Sequence, residues 1–138
     1  MSNRLHLLER LCKEHRVKAL YVFGSRSADM LRFVTDEAVQ LQTSSSDLDV
    51  GASIHSPFSV EDKVNLTLDL ESFFGAPGVD LFVLQDVDAF LAVNVIRGER
   101  VYAEDSYLAD EYELYILRRA GDLADFERER MAMILSEA

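Results

Sequence analysis

The sequence predicts an α+β domain in which helices flank a small β-sheet and one long helix lies at the C-terminal end. Short apolar runs typical of strands alternate with segments whose apolar residues recur at helical spacing. From Tyr107 onward, helical spacing continues through the rest of the chain. With 138 residues, 49% of them hydrophobic and 28% charged, we expect residues 1–138 to form one domain with its own core.

The predicted elements follow one another in a regular order. They are a helix from about Asn3 to Glu14, a strand ending at Phe23, a strand over Leu48–Ile54, a helix after Ser59, a strand over Val79–Leu84, a helix near Asp88–Ile96, a small strand over Arg100–Ala103 and the terminal helix. Ser59 and Asp62 have the spacing of a capping box, and Gly75 and Gly78 end the same helix. The terminal helix is expected to present one apolar face formed by Tyr112, Ile116, Ala120, Leu123, Met131 and Ile134.

The chain is strongly acidic, with a formal net charge of −11. Because surplus Lys and Arg bind phosphate backbones, this charge argues against direct nucleic-acid binding and favours a basic protein partner. Charged residues interrupt the N-terminal leucines, so we expect no signal peptide or membrane span and a cytoplasmic location. The single cysteine, Cys12, cannot form an internal disulfide and is expected to be buried on the first helix.

A Gly-Ser pair ends the first apolar strand and predicts a phosphate-binding turn. The segment reads Leu20-Tyr21-Val22-Phe23-Gly24-Ser25. A glycine lets the backbone approach a ligand closely, and exposed N–H groups entering a turn or helix form a concavity for anions. The Ser25 hydroxyl and the Arg26 charge could add to this concavity. Gly24, Ser25 and Arg26 are therefore the candidate nucleotide-binding residues.

Three aspartates near the starts of two later strands predict a metal site. Asp47 and Asp49 are two residues apart, so their carboxylates share a face, about 7 Å apart along the chain. Asp80 joins them if its strand lies beside the Asp49 strand. Carboxylates this close repel one another without a cation, and Mg²⁺ prefers oxygen ligands together with water and substrate phosphates. Asp47, Asp49 and Asp80 are the candidate catalytic and metal-binding residues, and two ions about 4 Å apart would serve displacement at phosphorus.

The order of these segments resembles the nucleotidyltransferase superfamily related to DNA polymerase beta, and specifically its small single-domain members, the minimal nucleotidyltransferases. The matching residues are Tyr21-Val22-Phe23-Gly24-Ser25-Arg26, Ser46-Asp47-Leu48-Asp49-Val50 and Val79-Asp80-Leu81, and the resemblance continues through the turn at 97–102 into the terminal helix. The resemblance implies a mixed sheet and a Gly-Ser turn that holds a nucleoside triphosphate. It also implies that Asp47 and Asp49 bind two Mg²⁺ ions and that Asp80 acts at the ion activating the attacking hydroxyl.

The resemblance also implies a function. Minimal members are commonly antitoxins encoded beside a helical HEPN ribonuclease toxin, which they silence by adenylylating a tyrosine near its active site. The chain is therefore expected to transfer AMP from ATP to such a hydroxyl, as a type VII-like antitoxin. Two alternatives remain open: a non-catalytic antitoxin that acts by occlusion, and a transferase for a small molecule such as an aminoglycoside. A phospho-receiver domain also places acids at strand ends but leaves the Gly-Ser turn unexplained.

The spacer at positions 26–46 is longer than is usual in this family. We predict a lengthened turn with a short helix, which ends in the polar stretch Gln42–Ser46 and acts either as a lid or as tolerated padding. Asp86 and Asp88 are expected to cap the next helix rather than to bind metal. Arg26 and Lys63, where they do not contact phosphate, are expected to be ordinary surface charges.

Overall fold

The computed structural model describes residues 3–42 and 46–136, so residues 43–45 of the predicted polar stretch lie outside the described residues. The elements are α1 (Asn3–Glu14), β1 (Val17–Phe23), α2 (Ser27–Thr35), β2 (Leu48–Ile54), α3 (Val60–Phe74), β3 (Val79–Val83), α4 (Ala89–Ile96), β4 (Glu99–Ala103) and α5 (Ser106–Ser136). Each predicted helix and strand is present, with bounds close to those expected from periodicity. The short helix predicted in the spacer is α2.

The four strands form one mixed sheet in the order β3-β2-β1-β4. β1 pairs antiparallel with both β2 and β4, whereas β2 and β3 are parallel and are joined through α3. The mixed sheet implied by the family resemblance is therefore confirmed. A phospho-receiver domain is excluded, because that class has a doubly wound parallel sheet.

Alternating strand residues build a core on each face of the sheet. On one face, Leu20, Val22 and their neighbours pack against buried residues of α1, α2 and α3, among them Cys12. On the other face, Ala19, Tyr21 and Phe23 pack against α4 and α5. Burial raises the pKa of the Cys12 thiol, as expected for a packing residue. Among the described helices, none has both the length and the apolar content needed to cross a membrane.

Two of the predicted helix caps, at Ser59 and Asp88, are present. The Asp62 amide donates to Ser59 Oγ at 3.0 Å and the Ser59 amide donates to Asp62 Oδ2 at 2.8 Å, which completes a capping box at the start of α3. Asp88 Oδ1 accepts from the Leu91 amide at 2.9 Å and caps α4. Asp88 is thus a capping residue, as expected, whereas the expectation for Asp86 is wrong, because its side chain makes no capping bond within the described residues.

A half-buried polar network fixes α5 to the sheet. The Tyr21 hydroxyl donates to Glu113 Oε2 at 2.7 Å, and Arg100 of β4 donates to Glu113 and Asp110 at 2.7 and 2.8 Å. Burial and the adjacent Glu113 carboxylate raise the pKa of Tyr21, so its hydroxyl remains a donor. These bonds set the position of α5 along β1.

The apolar face of α5 is covered only over its first half. Ile116 and Ala120 are buried, but Leu123, Met131 and Ile134 are exposed. The residues expected on one apolar face of α5 are therefore buried in the first half of the helix and exposed in the second half. The stripe continues along α5, but beyond Ala120 no described part of the chain covers it.

Two leucines of α3 allow a matched test of this core. Leu66 is fully buried, whereas Leu68 on the same helix is 55% exposed. We expect Leu66→Ala to lower the free energy of unfolding by about 2–5 kcal/mol, since it removes buried contacts and leaves a cavity. Leu68→Ala should change it by less than about 1 kcal/mol. Urea unfolding followed by circular dichroism measures both, and equal losses would contradict the packing described for α3.

Candidate active site

The sheet brings the predicted site segments to one edge. β1 ends where β2 and β3 begin, and the register places Phe23 opposite Asp49 and Asp49 opposite Asp80. Phe23 itself packs on the face that α4 and α5 cover, and Asp80 lies two positions from Phe82, which packs there too. Asp49 points to the same face, because it lies two positions from Gly51, where a Cβ atom would meet Val95 of α4. The carboxylates of Asp49 and Asp80 thus lie side by side on neighbouring strands. Asp47 lies two residues before Asp49, next to the start of β2.

The Gly24-Ser25 turn lies directly against this row. Gly24 has a positive φ of +79°, and a Cβ atom at this position would collide with the Asp49 carboxylate. Only glycine therefore allows both the turn and the close approach of Asp49. Gly24 and Ser25 are exposed, and α2 begins at Ser27, so the turn leads straight into a helix N-terminus. The structure thus places an anion-favouring backbone beside the carboxylates.

The carboxylates influence one another electrostatically. Partial burial raises the pKa of Asp49, and the neighbouring negative charges of Asp80 and Asp47 raise it further. Asp47 and Asp80 are exposed. The site therefore has one partly desolvated carboxylate between two hydrated ones, and a bound cation would relieve the repulsion among them.

A turn that the sequence analysis had assigned only to helix termination completes the site. Gly78 has a positive φ of +83°, and Asp47 Oδ1 lies 2.6 Å from the position that a Cβ atom would occupy there. The Gly78 amide donates to Glu71 Oε2 at 2.7 Å, and its carbonyl accepts from the Leu48 amide at 3.0 Å. Glu71 on α3 thus holds the turn between Asp47 and Asp80. The sequence around Glu71 did not predict this role, because Glu71 lies among other acidic residues of a helix.

Arg26 is placed differently from the surface charge expected of it. Its side chain is buried, with 8% of the residue exposed, and it donates to the carbonyl of Gln42 at 2.5 Å and to that of Ser46 at 3.5 Å. The guanidinium therefore contacts the carbonyl of the residue directly before Asp47 and one carbonyl of the spacer. Nothing in its local sequence indicated burial, because the carbonyls that it binds come from residues distant in the chain.

The described part of the spacer is packed against the domain. Met30, Phe33 and Val34 of α2 belong to the core. The Arg4 guanidinium lies over the Phe33 ring at 3.8 Å and donates to the Val39 carbonyl at 2.6 Å. Residues 27–39 therefore form a fixed structural element rather than an open loop.

The chemistry of the donor set suits Mg²⁺, although no closed metal cage is present. Within residues 3–42 and 46–136, no three His, Cys, Asp or Glu side chains have the arrangement of a closed metal site. Asp47, Asp49 and Asp80 nevertheless offer only oxygen donors and lie within electrostatic reach of one another. Mg²⁺ is usually bound by one or two protein carboxylates, with water and phosphate oxygens completing its octahedron. An open carboxylate row fits that requirement.

The raised pKa of Asp49 has a consequence for stability. Because the folded protein favours the protonated Asp49 carboxyl, this group contributes most to the stability of the fold below the ordinary aspartate pKa of about 3.9. The contribution is lost as the pH rises through the raised pKa. We therefore expect Asp49→Asn to be more stable than wild type at pH 7, with the difference shrinking as the pH falls toward 4. Denaturant titrations across this range measure it.

Asp86→Asn is the control for this prediction, because it removes the same charge outside the carboxylate row. If it stabilised the protein as much as Asp49→Asn at pH 7, the effect would belong to the net charge of −11 and not to the site.

Solved structures share this fold. No family model matches the chain, and the curated proteins include no match. A chain in a crystal structure of a mutant MntA–HpeT toxin–antitoxin is 18% identical, with a TM-score of 0.64 and 98% of both chains covered. A chain in a toxin–antitoxin crystal structure with AMP-PNP is 19% identical, with a TM-score of 0.63 and the same coverage.

A third match lies in the complex of a tri-AMPylated Shewanella oneidensis HEPN toxin with an MNT antitoxin. It is 17% identical, with a TM-score of 0.60, and the alignment covers 96% of this chain and 94% of that one. At these identities the likeness concerns the fold. This chain therefore has, over nearly its whole length, the fold found in these toxin–antitoxin complexes.

Proposed function

We propose that the chain is a nucleotidyltransferase that moves AMP from ATP onto a hydroxyl group of a protein, and that it acts as an antitoxin toward a HEPN-type ribonuclease toxin. The observation that carries the proposal is the placement of the Gly24-Ser25 turn against Asp49, with Asp80 beside it on the next strand. The structural neighbours include a complex with AMP-PNP and one with a tri-AMPylated toxin, which supports adenylyl transfer as the reaction. ATP as donor agrees with the cytoplasmic location favoured by the sequence.

In the proposed reaction, each part of the site has one task. The amides of Gly24 and Ser25 and the N-terminus of α2 bind the triphosphate. The acceptor hydroxyl attacks the α-phosphorus, a new O–P bond forms, and the bond to the β-phosphate breaks with release of pyrophosphate. Asp80 stands next to Asp49 and is exposed, so it can orient the hydroxyl and draw its proton away.

Mg²⁺ is the proposed cofactor, held by Asp47, Asp49 and Asp80. When bound, it neutralises phosphate charge and makes the acceptor hydroxyl easier to deprotonate. Arg26 is proposed to act on the site indirectly, since its guanidinium binds the carbonyls of Gln42 and Ser46 rather than facing the turn. It holds in place the segment from which Asp47 projects.

The direct test uses coexpression with the protein encoded by the adjacent gene. We expect intact-mass spectrometry to show that protein enlarged by whole adenylyl increments with wild type. Asp80→Asn should slow the transfer by at least about 100-fold, because it removes the proposed base. Asp86→Asn, in the chain's other Asp-x-Asp, is the matched control and should leave the increments unchanged. A partner that binds wild type and stays unmodified would favour occlusion instead.

Glycine substitutions separate backbone strain from damage to the site. Gly24 and Gly75 both have positive φ, but a Cβ atom at Gly75 would meet nothing within 4 Å. Gly24→Ala and Gly75→Ala should each lose about 1–2 kcal/mol of stability through backbone strain. Only Gly24→Ala should also displace the Asp49 carboxylate and weaken Mg²⁺–AMP-PNP binding, by about tenfold or more. Calorimetric titration measures the binding, and equal weakening by Gly75→Ala would contradict the assigned nucleotide site.

A further inference from the structure

The second half of α5, residues 121–136, exposes many large apolar side chains. The exposed ones are Leu123, Phe126, Met131, Met133, Ile134 and Leu135. Leu123, Met131 and Ile134 continue the stripe that includes the buried Ile116 and Ala120, and an exposed apolar helix face of this kind marks an interaction site. We call residues 121–136 the α5 arm. At 1.5 Å per residue, it extends about 24 Å beyond Ala120, the last buried residue of the helix.

The arm projects from the end of the sheet that carries the candidate active site. Ala109 and Tyr112 line a cavity with Ala19, and Glu113 accepts from Tyr21. Residues of α5 therefore advance in the same direction as those of β1, toward Gly24. Ala120 lines a groove with Arg97, and a Cβ atom at the adjacent Gly98 would lie 2.7 Å from Phe23 Cβ, so the start of the arm lies near the end of β1 that leads into Gly24. The arm thus begins beside the site and extends past it.

The apolar surface continues from the arm onto α4. A groove of about 480 Å³ runs between the two helices where the arm begins, lined by Phe90, Val93, Asn94, Arg97, Leu117 and Ala120 among others. Phe90 is itself largely exposed. The exposed surface is therefore a helix face with a groove at its base, which suits an amphipathic helix of another protein.

The charge of the arm indicates the kind of partner. Its two arginines are engaged internally, Arg128 with Asp125 and Arg130 with Glu127. Asp122 and Glu129 pair with no cation in the part of the chain that the structure describes, so the arm presents surplus negative charge. A second copy of this chain, with its own net charge of −11, would be repelled, whereas a basic apolar surface is complementary.

We propose that the α5 arm is the docking surface for the acceptor protein, whose contact surface is apolar with a basic rim, and that docking there presents its hydroxyl to the carboxylate row. This inference rests on the proposed function. It assigns partner selection to α5, while Gly24, Ser25 and the aspartates bind the nucleotide. Specificity for the acceptor then comes from a helix next to the open site.

Ile134→Asp tests the proposal, with Leu114→Asp as the matched control. Both side chains are half exposed, at 49% and 46%, and both lie on α5, but Leu114 precedes the arm and lies on a different side of the helix. The probe is the product of the adjacent gene, and its capture by each variant and its adenylylation are measured. Calorimetric titration with Mg²⁺–AMP-PNP reports the nucleotide site independently.

We expect Ile134→Asp to weaken capture and adenylylation at least about tenfold while nucleotide binding is unchanged, and Leu114→Asp to leave all three at the wild-type level. Capture that is equal for both variants would overturn the proposal. So would a wild-type homodimer that Ile134→Asp dissociates in sedimentation. Capture that depends on Ile134 without any adenylylation would support the docking surface and reject the proposed reaction.

Discussion

The pairing register of β2 is the constraint on which the rest of the site depends. β2 pairs with β1 on one side and β3 on the other, and this places Phe23, Asp49 and Asp80 in one row. A shift of one residue in either pairing would turn one of the carboxylates to the opposite face of the sheet. The register is itself fixed by burial, because Leu48 and Val50 must face the core formed with α1, α2 and α3. The hydrophobic pattern thus aligns the polar residues.

Contacts from elsewhere in the fold hold the carboxylate row and the turns beside it. Asp49 is partly buried between two other carboxylates, and both turns beside the row have positive φ, at Gly24 and Gly78. The supporting contacts come from outside the row: Glu71 holds the Gly78 amide, and Arg26 binds the carbonyls before Asp47. Repulsion among the carboxylates persists only where the surrounding fold enforces it, and it is typical of sites that bind ligands.

Much of this architecture could be predicted from the sequence because it follows from local rules. Helical spacing gave α1 and α3, a capping box gave the start of α3, and alternation gave the strands and the shared face of Asp47 and Asp49. What escaped prediction depends on contacts between distant segments. The burial of Arg26 depends on carbonyls 16 and 20 residues away, and the role of Glu71 depends on where the next turn folds back. The exposed second half of α5 escaped because periodicity shows which residues share a face but not whether anything covers it.

The central claim is that a nucleotide and its metal bind at the row formed by Gly24, Asp49 and Asp80. Paramagnetic broadening tests it most directly, with Mn²⁺ and AMP-PNP added to ¹³C,¹⁵N-labelled protein. The account predicts that the carboxyl signals of Asp47, Asp49 and Asp80 and the amide signals of Gly24 and Ser25 broaden first. Signals of Asp86 and Asp88 should persist at the same Mn²⁺ concentration. Broadening that begins at Asp86 and Asp88, or that spreads evenly over the acidic surface, would contradict the assignment of the site.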